Sequence, residues 1–429
     1  MRYWIETLGC AKNRVDSEKL AGLLDARGYS PAGSAERADL VVANTCAFIE
    51  AAREESIATV LDLAERRGSG ARLVVTGCMA ERYGDDLALA LPEVDLVAGF
   101  GHSLEATPVE LRSRPTPSFD LLNLPRPRSA RPWAYVKAAE GCDRRCGFCA
   151  IPSFRGDQRS RDLTAIVDEA RGLADGGVRE VVVIAQDLAS WGRDRRGGNR
   201  APAESLDDGV AQPLIELVGA LSAQVAWVRL LYLYPSGLTP RLIEAMLATG
   251  VPYFDLSLQH ASRPLLRAMR RWGDAERFLE RIAAIRRAEP SATFRSSFIL
   301  GYPGETEEDQ ARLLEFLDAA QLDWAGFFTF SPEEGTPAAT MGDQVAGGLA
   351  LERLREASDL QDAISARRRD RHVGTRQLVL VDEPGVGRTV HDCPEVDGVV
   401  RLDPSLAVGS LVECDVVASH GTDLEAVRA

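Results

Sequence analysis

The sequence predicts an α/β protein in three folded parts: an N-terminal parallel α/β domain, a central partial barrel of six β-α units, and a small C-terminal all-β barrel. Three observations predict it. Strand-like apolar runs alternate with helical patterns up to about Ala366. A proline-rich stretch interrupts that alternation once. The final residues hold only short β-like runs between Gly and Pro turns.

In the first part, residues 1–102, strands are expected at Tyr3–Leu8, Leu40–Ala43 and Leu73–Thr76, with helices at Asp16–Arg27 and Ala51–Arg67 between them. Strand, helix, strand in sequence is the mark of a parallel sheet. Residues 103–132 then hold six of the 22 prolines, so 103–131 reads as an extended linker. From 132 to 366 six strands are expected, at Trp133–Ala138, Glu180–Gln186, Val225–Leu233, Tyr253–Gln259, Thr293–Leu300 and Trp324–Phe330. Helical segments near 162–175, 212–222, 240–249, 263–288 and 306–319 separate them. Six units make a partial barrel, and chemistry on such folds sits at the carboxyl ends of the strands. The Gly-rich segment 192–209 reads as a solvated loop. Residues 367–429, with QLVLVDEPGVGRTV, DGVVRLD and SLVECDVVAS, read as the small barrel.

Composition narrows the function. The chain has 429 residues and a formal net charge of -14. Affinity for a phosphate backbone needs a positive surface, so a general polyanion binder is disfavoured and a small molecule or basic protein suits better. MRYWIETLGC is no signal peptide, and no apolar run is long enough to cross a membrane, so a cytoplasmic protein is expected. In a reducing cytosol the eight cysteines are not expected to form disulfides.

Two cysteine groupings stand out. EGCDRRCGFCAIP places Cys142, Cys146 and Cys149 on one short segment directly after the first barrel strand. Three thiolates so close can wrap one iron–sulfur cluster. Zinc is the alternative, but structural zinc takes four ligands, and the nearest following histidine is His260. A four-iron cluster held by three cysteines keeps one iron open. That iron can chelate the amino and carboxylate groups of S-adenosylmethionine, and an electron from the cluster then cleaves a carbon–sulfur bond to give a deoxyadenosyl radical. The second grouping is Cys10, Cys46 and Cys78, each just after a predicted parallel strand (WIETLGC, DLVVANTC, RLVVTGC). Neighbouring parallel strands end on one edge, so these thiols should converge where such sheets bind ligands. The alternative is three ordinary buried cysteines.

The CxxxCxxC spacing on a β-α barrel resembles the radical S-adenosylmethionine superfamily, and Phe148 fits the aromatic carried just before its last cysteine. TLGCAKNRVDSEKL, NTC and TGC, followed by that motif and a small β-domain, resemble the methylthiotransferases over nearly the whole chain. The resemblance implies two 4Fe-4S clusters, one on Cys142, Cys146 and Cys149 and one on Cys10, Cys46 and Cys78. It implies S-adenosylmethionine as source of radical and methyl group, and a C-terminal TRAM (OB-like) barrel. An electron donor such as flavodoxin or ferredoxin is expected. It also implies that the strand containing Arg295 lines the S-adenosylmethionine pocket, where Arg295 could meet the carboxylate. Gln186 and Gln259, at strand ends, are further candidates for that pocket. Arg155 is expected beside the first cluster, orienting a substrate carboxylate.

The family has branches acting on tRNA adenosine and on an aspartate β-carbon of small-subunit ribosomal protein twelve. GCAKNRVDSE, GCDRRCGFCAIPSFRG, SLQHAS and DCPEVDGVV resemble the latter. Gly374–Ala429 carries four Arg and no Lys against ten Asp plus Glu. A barrel gripping tRNA should be basic; an acidic one suits a basic ribosomal protein, so RNA contact is not expected as substrate. The tRNA reading stays open, as does a non-catalytic, metal-stabilised RNA-binding module. Gly147 stands where the family pattern has Thr, and Cys393 where DxPEVDG has Ala.

Overall fold

The structure is a computed structural model that describes residues 1–107, 117–195 and 213–429. It divides into two compact units. The first holds Met1–Arg128, Ala139–Arg144 and Cys149–Arg161; the second holds Ser129–Ala138, Arg145–Phe148 and Asp162–Ala429. Most of the 192–209 loop lies outside the described residues.

In the first unit, strands β1 (Arg2–Thr7), β2 (Ser30–Pro31), β3 (Leu40–Thr45), β4 (Arg72–Gly77) and β5 (Leu96–Val97) form one sheet in the order β2-β1-β3-β4-β5. All its pairings are parallel. Helices α1 (Ala11–Ala26), α2 (Glu50–Arg66) and α3 (Cys78–Ala90) connect it. Side chains alternate across a strand, so the apolar runs feed two cores. Val41, Ala43, Leu73 and Val75 enter one, and Leu40, Val42, Val74 and Leu96 the other. The tail of the proline-rich stretch packs here as well. The fully buried Lys19 ammonium donates to the carbonyls of Leu122 and Leu124, each at 2.9 Å.

A short antiparallel pair, β7 (Ala139–Glu140) with β8 (Arg159–Ser160), belongs to the same unit. So does the helix Ile151–Arg155, whose Ala150 and Phe154 flank join the core with Met79 and Cys78.

The second unit carries the six expected parallel strands: β6 (Trp133–Lys137), β9 (Glu180–Ile184), β10 (Trp227–Leu230), β11 (Tyr253–Gln259), β12 (Thr293–Leu300) and β13 (Trp324–Thr329). They form two three-stranded sheets, joined where Leu233 bridges Leu256. The helix expected over 263–288 is two, Arg263–Ala268 and Ala275–Ala288. Asp274 causes the break by accepting from Arg277 N–H and capping the second helix. Thr306 caps its helix in a reciprocal capping box with Asp309.

Residues beyond the helix Gly347–Asp370 close into a five-stranded barrel of β14 (Arg376–Glu383), β15 (Val386–Arg388), β16 (Val400–Arg401), β17 (Leu411–His420) and β18 (Asp423–Arg428). Its segment 388–397 caps the amino ends of all six parallel strands. Tyr135 on β6 donates to Pro394 O, Glu180 on β9 pairs with Arg388, and Arg229 on β10 donates to Val390 O. Tyr253 on β11 donates to Asp397, Thr293 on β12 pairs with His391, and Trp324 on β13 donates to His391 O. Asp392 accepts from Arg369 at 2.7 Å and Glu395 from Arg131 at 2.6 Å. Asp392 and Asp397 of the conspicuous acidic segment DCPEVDGVV are thus spent inside the protein, while Glu395 stays at the surface.

Glu180 is fully buried between Arg229 at 2.7 Å and Arg388 at 2.6 Å. Removing the one carboxylate leaves two buried guanidinium groups short of their counter-charge. Glu180→Gln is expected to cost about 3–5 kcal/mol, read as a lowered denaturant midpoint.

Burial, reinforced by the His372 ring 5.0 Å away, pushes the His391 imidazole down to about 3. A base with a folded pKa below its unfolded value of about 6.5 stabilises the fold when neutral, and that stability drains as pH falls below about 6.5. Asp397, pushed up to about 6 by burial, works in the opposite sense over part of the same window. The His391 contribution is isolated by comparison: between pH 7 and 4.5, His391→Asn should lose less stability than the native chain, measured by denaturant unfolding at both values.

Candidate metal centres

Strand register puts the second triad together. Thr7 pairs with Asn44 and Thr45 with Gly77, so β1, β3 and β4 end at one level. Cys10 lies three residues past β1 and precedes α1; Cys46 follows β3 directly; Cys78 opens α3. Two thiols therefore stand at helix N-termini, whose positive ends favour thiolate and a negatively charged cluster. Cys46 and Cys78 are each 6% exposed, while Cys10 keeps an open face. Gly9, at φ +87°, explains how the loops meet: a Cβ there would lie 2.8 Å from Cys46 Sγ. Only glycine leaves that space.

Asn13, fully buried on α1, ties the strand ends with its amide, which donates to Leu8 O at 2.9 Å and Thr45 O at 3.0 Å. Ser56 accepts from Cys46 N–H at 3.1 Å.

Electrostatics separates the three thiols. Burial, with Cys10 and Cys78 close by, pushes Cys46 up to about 11. Burial raises Cys78 as well, against the pull of Arg155. At Cys10 desolvation also opposes ionisation, but Lys12, Arg155 and the backbone donors of Asn13 and Lys12 outweigh it and hold that thiol below its ordinary range. Any metal taken up here would have to displace protons from Cys46 and Cys78. Among the described residues no three His, Cys, Asp or Glu side chains are close enough to share one metal ion. Structural zinc takes four closely set ligands, whereas a polynuclear cluster takes more widely spaced thiolates. The donor set and the Gly9 cradle fit such a cluster.

The sequence placed Arg155 toward a substrate carboxylate, but the structure directs its donors elsewhere. Its Nε and Nη2 donate to Cys78 Sγ at 3.3 and 3.0 Å. Nη2 also reaches Asn13 Oδ1 at 2.7 Å, and Nη1 reaches Glu140 at 2.8 Å and Asp16 at 3.3 Å. The guanidinium lies 4.6 Å from the Phe100 ring centroid. With its fork spent on these groups, the side chain has no donor left for a substrate.

In the first triad, Cys142 and Cys149 belong to the first unit and Cys146 to the second. Cys142 N–H donates to Gly156 O at 3.0 Å, the residue after Arg155. Cys149 leads into the buried Ala150. Cys146 Sγ accepts from Arg271 Nη1 at 3.3 Å, and Arg271 lies 4.4 Å from the Tyr234 ring. Gly147 has a steric reason to depart from Thr: a Cβ there would lie 2.9 Å from the Tyr302 hydroxyl and 3.0 Å from Ala268 O.

Among the other candidates, Phe148 is half-buried in the second unit. Gln186 stands just beyond the carboxyl end of β9. Gln259 ends β11 with φ +73° at a register shift, a strained backbone of the kind found at binding sites. Arg295 differs from expectation. It lies near the amino end of β12 and pairs with Asp255 at 3.3 Å and Asp397 at 3.6 Å. With its guanidinium in these pairs, Arg295 is held at the end of the strand opposite to the carboxyl end where a carboxylate contact was expected. His260 is fully buried, accepts from Ser262 N–H at Nδ1, and is pushed down to about 4 by burial. Arg161 is buried and donates to Asn123.

Sequence reasoning missed Asn13, Asp16, Glu140 and Arg271. The first two had a signal: a helix opening directly after Cys10 puts position 13 one turn on, facing back toward the thiols. Placing the start of α1 at Asp16 hid it. Arg271 sits in the helix break that periodicity did not show.

Residues 2–99 match uncharacterized protein family UPF0004, residues 136–317 the radical SAM superfamily, and residues 373–428 the TRAM domain. The ribosomal protein uS12 methylthiotransferase RimO of Cutibacterium acnes is 42% identical, over 99% of this chain and 98% of that protein. RimO of Moorella thermoacetica is 42% identical over 96% and 95%, and RimO of Chloroflexus aurantiacus 39% identical over 99% of both. Among solved structures, the radical S-adenosylmethionine methyltransferase TsrM from Kitasatospora setae, with tryptophan and a SAM analogue bound, superposes with a TM-score of 0.54 at 14% identity, over 85% of this chain and 89% of that one. At that identity the likeness speaks for fold alone. With identity near 40% sustained over nearly its whole length, the chain belongs to the RimO methylthiotransferase family.

Proposed function

We propose that this chain methylthiolates the β-carbon of an aspartate in ribosomal protein uS12 by radical S-adenosylmethionine chemistry, with one 4Fe-4S cluster on each cysteine triad. The observation that carries the reading is the second triad. A radical enzyme that only abstracts hydrogen needs Cys142, Cys146 and Cys149; the convergence of Cys10, Cys46 and Cys78 on one sheet edge adds a second iron–sulfur seat, suited to sulfur insertion. When bound, the clusters and S-adenosylmethionine supply the radical, the methyl group and the inserted sulfur.

The chain's own residues hold and shield that chemistry. Arg271 keeps a positive charge against Cys146 Sγ, and Arg155 does the same at Cys78. Gln186 and Gln259, at the carboxyl ends of β9 and β11, are placed to hydrogen-bond the bound S-adenosylmethionine. Capping of the amino ends by the C-terminal barrel closes the opposite face to water. Support for uS12 as the substrate comes from the RimO relatives and from the net charge of -14, which favours a basic partner. Asp392 and Asp397 of DCPEVDGVV do not add to it, because they are buried in internal pairs. A flavodoxin- or ferredoxin-type electron donor and a cytoplasmic setting belong to this reading; no described helix is long and apolar enough to cross a membrane.

Anaerobic reconstitution of the full chain should load about eight irons. Replacing Cys10, Cys46 and Cys78 together by Ala should leave about four, keep reductive cleavage of S-adenosylmethionine and abolish methylthiolation. Four irons in the native chain would remove the second cluster. Mass spectrometry should find the methylthio gain on uS12; a gain on tRNA alone would overturn the substrate.

A further inference from the structure

A buried guanidinium that donates twice to one cysteine of a cluster seat acts on more than packing. The Arg155 side chain is 3% exposed, so its charge is screened by protein and not by water. Two of its donors meet Cys78 Sγ, while its other edge meets the Glu140 carboxylate at 2.8 Å. Asp16, 1% exposed, lies at 3.3 Å. One-electron reduction adds a negative charge to an iron–sulfur cluster. Hydrogen bonds to its sulfurs and nearby positive charge favour the reduced form; nearby carboxylates disfavour it. This chain places one group of each kind on a shared contact, and supplies both from the segment 139–161.

We infer that Arg155 is the positioning residue that sets the reduction potential of the cluster held by Cys10, Cys46 and Cys78, with Glu140 as its counterweight. The inference rests on the two-cluster reading. It gives Arg155 a role distinct from substrate contact: it fixes Cys78 in place and governs how readily that cluster takes an electron.

The pair provides a test of sign. The full chain with Cys142, Cys146 and Cys149 replaced by Ala is reconstituted anaerobically, so that the second triad holds the remaining iron. It is titrated with dithionite and redox mediators while the reduced cluster is followed by electron paramagnetic resonance. Arg155→Gln should lower the equilibrium constant for one-electron reduction about tenfold, a shift of about 59 mV to more negative potential. Arg155→Lys, which keeps the charge but loses the fork, should shift less. Glu140→Gln, which frees the guanidinium of a competing carboxylate, should shift the potential the other way. Opposite shifts support the inference. Unchanged potentials, or shifts of one sign in both glutamine variants, overturn it. If Arg155→Gln fails to load iron, Glu140→Gln decides alone: a positive shift supports the inference and no shift overturns it. A background variant without iron would instead overturn the two-cluster reading, and the inference with it, on iron content before any potential is measured.

Discussion

A charged side chain taken out of water must find its counter-charges and hydrogen bonds inside the protein, and much of this structure depends on how its buried arginines meet that demand. Arg155 joins Cys78, Asn13, Asp16 and Glu140, from three separate stretches of chain. Arg388 and Arg229 share Glu180, and Arg353 is held by Glu305. Each guanidinium fixes directions as well as distances, because its donors are planar and forked. Hydrophobic burial brings the layers together. These pairs decide which residue of one segment meets which residue of another.

The second unit shows the consequence for layout. Every one of the six parallel strands sends a side chain to the C-terminal barrel. The carboxyl ends carry Gln186, Gln259 and the turn Gly301–Glu305, in which Glu305 accepts from Gly301 N–H at 2.7 Å. One end of the barrel is thus devoted to holding the fold, and the other is free of that duty. The acidic DxPEVDG segment lies at the holding end, so a motif that resembles a mark of substrate choice does structural duty in this chain.

Much of this was legible in the sequence. Alternation of apolar and helical patterns gave all six barrel strands, and strand-end cysteines gave the triad at Cys10, Cys46 and Cys78. What escaped were contacts between positions far apart in sequence. Nothing local ties Arg155 to Cys78 or Arg295 to Asp397, and a residue's place along its strand decides whether it faces a ligand or a neighbouring barrel. The early start of α1 was hidden because a cysteine is not among the usual capping residues, so Cys10 gave no signal that a helix opens behind it.

Arg155 and Cys149 stand on one short stretch of chain, and Ala150 and Phe154 between them are built into the first unit's core. The radical motif is therefore not a portable cassette. Ordering that stretch places Cys149 and Arg155 together, so the thiol at one end and the guanidinium that braces Cys78 at the other share a common piece of backbone.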